Sequence, residues 1–251
     1  LLSRNAGGAT DFDGYASAAT ASRKASTQAH TYMLPPLMHS TGLFGTMGAL
    51  SGGGTVVFSE SRSLDPDLVW KAIAGWRVES MTIVGDVFSR PLTDARRRLD
   101  PATARDATSS LKIVRSVGVR WSPDAKADLL AFGDMTLLDV LASSEGGAVA
   151  SWETRKIDGK VVTHYTLMPH AFLMDEDGER IAPGSGQTGI VVSAGVLPDG
   201  YIGERADGTT GTFRVIDGRR VVVTGDYARA ELDGTLTLIG RGSSVINTGG
   251  E

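Results

Sequence analysis

"SLKIVRSVGVRWSPDAKADLLAF" occupies residues 110–132 and joins two kinds of local grammar. Its first half reads as a buried strand that stops at Gly118. Its second half opens on Ser122 and Pro123, a cap and first-turn pair that starts a helix. The alternation extends both ways. Upstream, "SLDPDLVWKAIAGW" has Asp65 as cap and Pro66 at the first helical position, and Leu68, Val69, Ala72, Ile73 and Trp76 fall on one helical face. Trp70 and Trp76 are expected in the core. "SMTIVG" reads as a buried strand and Asp86 to Leu99 as a helix. Earlier still, "TYMLPP" is an extended segment stopped by its prolines, Thr41 to Leu50 a helix of small residues, and "GGGTVVF" a short strand leaving a glycine turn. Downstream, "MTLLDVLASSE" is strand and loop. Strands and helices at this spacing predict a parallel βαβ layer over residues 31–150. Residues 1–30 read as loop with one short helix. In such sheets ligands bind beyond the carboxyl ends of the strands, where "RSVGVRW" and "VLASSEGG" lie.

After about residue 151 helical periodicity gives way to hairpins: "AFLMDEDGERIA", "FRVIDGRRVVV" and "YARAELDGTLTLIG". Asp217-Gly218 and Asp233-Gly234 have the chemistry of two-residue turns. The expected fold class is therefore α/β: a parallel βαβ subdomain over residues 1–150, then an antiparallel β subdomain over 151–240. A two-residue turn at Asp233-Gly234 pairs Leu232 with Thr235, Ala228 with Ile239 and Asp226 with Arg241. Opposed residues share a face, so a carboxylate and a guanidinium meet at the open end of the last hairpin. Spacing alone is satisfied by a rim ion pair worth about 0–1 kcal/mol. A carboxylate just past the glycine of "TGD" can also accept both hydroxyls of a ribose, with Arg241 donating to ribose or phosphate oxygens.

Bulk properties restrict the classes of function. A net charge of −4 with scattered signs offers no stripe for nucleic acid or an anionic membrane. The chain has no cysteine, which removes disulfides and thiol nucleophiles and fits a reducing, cytoplasmic setting. No apolar run approaches the roughly 20 residues of a membrane span. The histidines His30, His39, His164 and His170 lack metal-ligand spacing. "GSGQTG" at 184–189 matches a dinucleotide fingerprint in letters, but it precedes a strand and opens no helix, so it reads as a turn; "SGGGT" at 51–55 reads likewise.

Five segments in order resemble the adenylate-forming superfamily and, within it, the acyl-CoA synthetases. "PLMHSTG" (36–42) is similar to that family's Pro-Leu-aromatic-His-x-x-Gly segment, and "SVGVRWSPDAK" (116–126) to its adenine loop. "ASSEGG" (142–147) resembles the "GSSE" motif, "VVTGD" (222–226) the "TGD" motif, and "GRGSSVINTGGE" (240–251) the "GRxxxxIKxxGE" motif at the hinge to a C-terminal domain. The closest likeness is to bacterial fatty- and steroid-acid CoA ligases. The family's glycine-rich phosphate loop and C-terminal domain are expected outside these residues, with 241–251 as the start of the hinge and the chain by itself catalytically incomplete.

The resemblance implies an ATP- and Mg2+-dependent ligase that makes an acyl-adenylate from a carboxylic acid and passes the acyl group to coenzyme A. By matched position, Ser144 contacts the phosphate, Glu145 holds Mg2+, and His39 sits where the acyl pocket meets the pantetheine tunnel. Gly118 and Val119 place backbone against adenine, Leu141, Ala142 and Ser143 line the nucleotide, and Asp226 and Arg241 take the ribose. Ser243 falls near the hinge position. Where the family has an aromatic residue and a glycine, this chain has Leu141 and Ala142; lost stacking implies ATP binding weaker by about 1–3 kcal/mol. In isolation His39 reads as a packing or capping histidine and Ser144-Glu145 as a solvated loop; their places in the motifs turn both readings toward function. Two other functions fit the residues: an acyl-AMP ligase serving a carrier protein, and a non-catalytic nucleotide- or acyl-binding module. The partners expected are the acid, ATP or AMP, and CoA, with a homodimer among the open assemblies; neither nucleic acid nor a transmembrane segment is expected.

Overall fold

The structure, a computed structural model, describes residues 11–24, 29–61, 63–119, 121–195, 197–202 and 211–242. Two compact units divide it: Leu1–Val140 with Trp152–His164, and Leu141–Ser151 with Tyr165–Glu251.

The first unit is built as the alternating grammar predicts. Strands β1 (His30–Met33), β2 (Thr55–Val57), β3 (Ser80–Ile83), β4 (Ile113–Val117) and β5 (Thr136–Ser143) run parallel in the order β2-β1-β3-β4-β5. Between them lie α2 (Ser40–Ser51), α3 (Pro66–Trp76), α4 (Gly85–Arg98), α5 (Pro101–Ser110) and α6 (Pro123–Leu130), with α1 (Phe12–Lys24) ahead of β1. Both foreseen caps form: the Asp65 carboxylate accepts from the amides of Asp67 and Leu68, and the Ser122 hydroxyl from that of Ala125. Helix α5 uses the same device at Asp100-Pro101 and was not anticipated, because "PATARDATSS" offers small residues in place of an apolar stripe. Near the start, α1 takes thirteen residues of the stretch expected to be mainly loop.

The core of this unit packs Tyr32, Met81, Ile83, Val114 and Leu137 of the sheet against Trp70, Ile73, Leu92, Leu129 and Leu130 of the helices. One expectation fails here. Trp70 is fully buried, but Trp76 is 61% exposed and Leu68 48% exposed. The buried stripe of α3 is Val69, Trp70 and Ile73, turned toward the indole N–H that Trp70 donates to the Leu92 carbonyl at 2.7 Å. Trp76 is held instead by its carbonyl, 2.6 Å from the His30 ring.

Grammar put the change of architecture near residue 151, whereas the chain divides after Val140 and returns to the first unit for Trp152–His164. The physical cause is hydrogen bonding. Strands β6 (Gly147–Ile157) and β7 (Lys160–Leu167) extend the first sheet to seven strands beyond β5, joined by an Asp158-Gly159 turn with both φ angles positive.

In the second unit β8 (Ala171–Met174), β9 (Arg180–Ile181), β10 (Thr188–Ser193), β11 (Phe213–Ile216), β12 (Arg219–Ala230) and β13 (Leu236–Arg241) form an antiparallel sheet in the order β11-β12-β10-β8-β9, with β13 also on β12. Phe172, Met174, Val192, Val221 and Val223 make its core. Asp217-Gly218 is the expected two-residue turn, with φ of 53° and 70° between Ile216 and Arg219. "GSGQTG" leads into β10 as a turn, the Gly186 amide donating to the Ala230 carbonyl.

The last hairpin departs from its predicted register twice. Its turn is a three-residue loop, Leu232-Asp233-Gly234, because the Glu231 amide donates to the Thr235 carbonyl. Ala228 therefore faces Leu238 in place of Ile239. A bulge in β13 at Ile239, opposite Tyr227 and Ala228, then restores the shift, so Asp226 does face Arg241.

Candidate functional site

Two structures of the second unit fasten its motif residues to one strand. The first is the loop after β5. The Ser143 hydroxyl accepts from the Gly146 amide at 2.8 Å, and the Gly146 carbonyl accepts from the Ser193 hydroxyl at 2.9 Å. Ser193 is fully buried at the end of β10. A Cβ on Gly146 would stand 2.9 Å from that of Ser193, so the glycine is required by close approach. Ser144 and Glu145 lie between these two anchors, Ser144 exposed and Glu145 half-buried. Tyr201 donates its hydroxyl to Glu145 Oε1 at 2.6 Å. Leu141 and Ala142, half-buried, end β5 just ahead.

The second is a bulge in β12. On β10, Ile190 and Val192 are two apart, but their partners Tyr227 and Val223 are four apart. The extra residues belong to Thr224-Gly225-Asp226, and Gly225 takes φ 79° to accommodate them. The Thr224 hydroxyl donates to the Val191 carbonyl at 3.0 Å and accepts from the Asp226 amide at 3.2 Å. On the other edge of β12 the partner changes at this point from β11, paired through Val222, to β13, paired from Asp226. Asp226 is 7% exposed. Val191 and Ser193 are two residues apart, so the two anchorages lie about 7 Å apart along β10 at the strand rise of about 3.3 Å per residue. Of Arg241 the backbone alone is described, and Ser243 with the rest of 243–251 lies outside the described residues.

The remaining predicted residues are on the first unit. β4 ends at Val117, and Gly118 follows at φ 102°, where a side chain would strain the backbone. Gly118 and Val119 are both exposed. They are bracketed by two tethers: the buried Ser116 hydroxyl accepts from the Gly85 amide at 2.9 Å, and the Ser122 amide donates to Asp86 at 2.8 Å. Arg90 closes the second tether on Asp86 and on the Ser122 hydroxyl. Burial opposes ionisation of Asp86, but the Ser122 amide and hydroxyl and the Arg90 guanidinium outweigh it and hold the carboxyl below its usual range. Beyond the loop, Lys126 reaches Asp139 at 2.9 Å as a partly buried pair and lies over the Trp121 ring. For Asp139 burial dominates, and its pKa is raised despite Lys126.

His39 occupies the N-cap position of α2, yet its ring is exposed and makes no capping bond. The glycine of its motif has a steric reason: a Cβ on Gly42 would stand 2.4 Å from the Pro36 carbonyl oxygen and 2.6 Å from that of Pro35.

Sequence reasoning did not find Tyr201, Ser193, Thr224 or the Asp86–Arg90 tether. None stands in a quoted chemical motif except Thr224, and each matters through a partner 32–56 residues away in sequence. Among the described residues no three or more His, Cys, Asp or Glu side chains cluster to hold a metal, and no helix is long and apolar enough to cross a membrane.

A parallel sheet with glycine-led loops at its carboxyl edge, followed by a bulged antiparallel sheet that carries Asp226, defines an α/β chain of two units. The AMP-binding enzyme family model matches residues 10–200, and the chain belongs to that family. It is 34% identical over 226 residues to a medium/long-chain-fatty-acid–CoA/3-oxocholest-4-en-26-oate–CoA ligase of Mycolicibacterium smegmatis, a match covering 88% of this chain and 40% of that protein. It is 36% identical over 226 residues to the 3-oxocholest-4-en-26-oate–CoA ligase of Rhodococcus rhodochrous, with the same coverage. The chain thus spans about two fifths of the length of the curated relatives it matches. The crystal structure of the nonribosomal peptide synthetase FmoA3 shares its fold with a TM-score of 0.73 at 18% identity, over 91% of this chain and 25% of that one. The crystal structure of CmiS6 does so with a TM-score of 0.69 at 19% identity, over 89% of this chain and 56% of that one.

Proposed function

We propose that this chain carries nucleotide- and acid-handling residues of an ATP-dependent acid–thiol ligase acting on fatty or steroid-like carboxylic acids. A carboxylate oxygen attacks the α-phosphorus of ATP, the bond to the bridging oxygen breaks, and pyrophosphate leaves. The CoA thiol then adds to the acyl carbon, loses its proton, and displaces AMP. Such transfers ask the protein mainly for position and charge neutralisation.

The observation that carries this reading is the shared anchorage of the Ser144-Glu145 loop and the Asp226 bulge on β10. In it Asp226 accepts from the ribose hydroxyls, with Arg241 opposite it on β13, and Ser144 donates to the α-phosphate. Gly118 and Val119 offer backbone to adenine, Leu141, Ala142 and Ser143 contact the nucleotide, and His39 stands by the acyl and pantetheine path. Glu145 fits Mg2+ in donor chemistry: its carboxylate would offer the ion a hard oxygen ligand. When bound, the ion neutralises phosphate charge. The names of the relatives support the acid class.

The test is calorimetric titration of the chain with AMP and with non-hydrolysable sulfamoyl-adenosine analogues bearing short, long and steroid acyl groups. Long-chain or steroid analogues should bind more tightly than AMP. Equal affinities for all acyl groups would remove the acid from the site, and no binding of any would remove the nucleotide.

A further inference from the structure

The loop that bears Glu145 is fixed at its backbone, by the Ser143 hydroxyl on the Gly146 amide and by Ser193 on the Gly146 carbonyl. Neither bond restrains the carboxylate, which stands at the end of three rotatable side-chain bonds. One described contact does. Tyr201 donates its hydroxyl to Glu145 Oε1 at 2.6 Å, a length typical of a hydroxyl on an ionised carboxylate. The phenol is itself held. Its ring meets that of Phe213 edge to face, with centroids 5.4 Å apart and planes at 71°. Phe213 is buried in β11, and the Arg220 guanidinium lies 5.2 Å from its ring centroid. A line of packed groups therefore runs from β11 and β12 to one oxygen of Glu145, leaving Oε2 as the second acceptor of the same carboxylate.

We propose that Tyr201 is a positioning residue: it orients the Glu145 carboxylate for the divalent cation that accompanies ATP. The inference rests on the proposed metal role of Glu145. The phenol acts through the carboxylate, as partners of metal-binding carboxylates do; losing such a partner typically lowers metal affinity 10–100-fold. Phenylalanine at 201 keeps the ring against Phe213 and removes the hydroxyl alone.

The experiment titrates Mn2+, a paramagnetic ion that also prefers oxygen donors, into the chain saturated with α,β-methylene-ATP and follows it by electron paramagnetic resonance. AMP affinity in EDTA is measured in parallel on the chain, Tyr201→Phe and Glu145→Gln. The expected result is Mn2+ affinity lower by roughly 10–100-fold in Tyr201→Phe, with AMP affinity and the urea midpoint unchanged. Mn2+ binding lost in Glu145→Gln but intact in Tyr201→Phe would overturn the role of Tyr201 and leave that of Glu145 standing. Mn2+ binding unaffected in both would overturn both. Equal weakening of Mn2+ and AMP in Tyr201→Phe would reduce the contact to general structure and overturn the inference. Failure of the unsubstituted chain to bind the nucleotide would overturn the proposed function itself, and Tyr201 with it.

Discussion

A carboxylate as enclosed as that of Asp226 is expensive to desolvate and is retained only with hydrogen-bond partners. If ribose hydroxyls are among them, Asp226→Asn keeps the shape and loses the charge. A hydrogen bond to a charged group contributes about 1.5–3 kcal/mol, so AMP affinity measured by calorimetry should fall roughly 10–100-fold. Unchanged affinity would take Asp226 out of the site. Two other carboxyls respond to pH with opposite signs. Asp86 has a lowered pKa in the fold, so its contribution is present above the ordinary carboxylate value near ~4 and is lost as pH falls through the folded value. Asp139 is raised, so ionising it costs stability as pH climbs from the ordinary value through the folded one. Urea midpoints followed downward from pH 6 should therefore decline less steeply in Asp86→Asn than in the unsubstituted chain. Parallel slopes would deny Asp86 that role.

Elements are governed by caps, turns and close approaches. Asp65→Ala removes the acceptor of two first-turn amides and should lower stability by about 1 kcal/mol, read as a shift in urea midpoint. Gly146→Ala pushes a methyl onto Ser193 and should lower stability by about 1–3 kcal/mol while distorting the loop that carries Ser144 and Glu145. If Gly146→Ala matches the parent in both stability and nucleotide affinity, the anchorage on Ser193 is not needed. Much at this scale was legible. Asp65-Pro66 and Ser122-Pro123 name their helices because cap and ring act within one turn. Asp100-Pro101 carries the same pair without announcing its helix, since the run after it buries small residues, Ala104, Ala107 and Ser110, that form no apolar pattern. The final hairpin shows the converse. Asp226 opposite Arg241 was read from a turn type that does not occur, and stands because the three-residue loop and the bulge in β13 cancel.

For the chain as a whole, a ligand that binds the folded state alone stabilises it by mass action, about 2.7 kcal/mol at a hundredfold excess over its Kd. AMP should raise the thermal midpoint accordingly, and amide exchange should slow together at Ser143–Gly146 and Thr224–Tyr227. Slowing at one of these segments without the other would separate the loop from the bulge.

Strand–helix alternation, helix starts, the Asp217-Gly218 turn and the order of the chemical motifs were settled by residues within a few positions of one another, because propensity, capping and turn sterics act over that range. Tertiary structure alone decided that β6 and β7 join the first sheet, that Trp76 stays outside the core, that Ser193 and Thr224 fasten the loop after β5 and the β12 bulge to β10, and that Tyr201 reaches Glu145. Those outcomes depend on hydrogen bonds and packing between segments tens of residues apart, and no local pattern encodes which distant partner closes them.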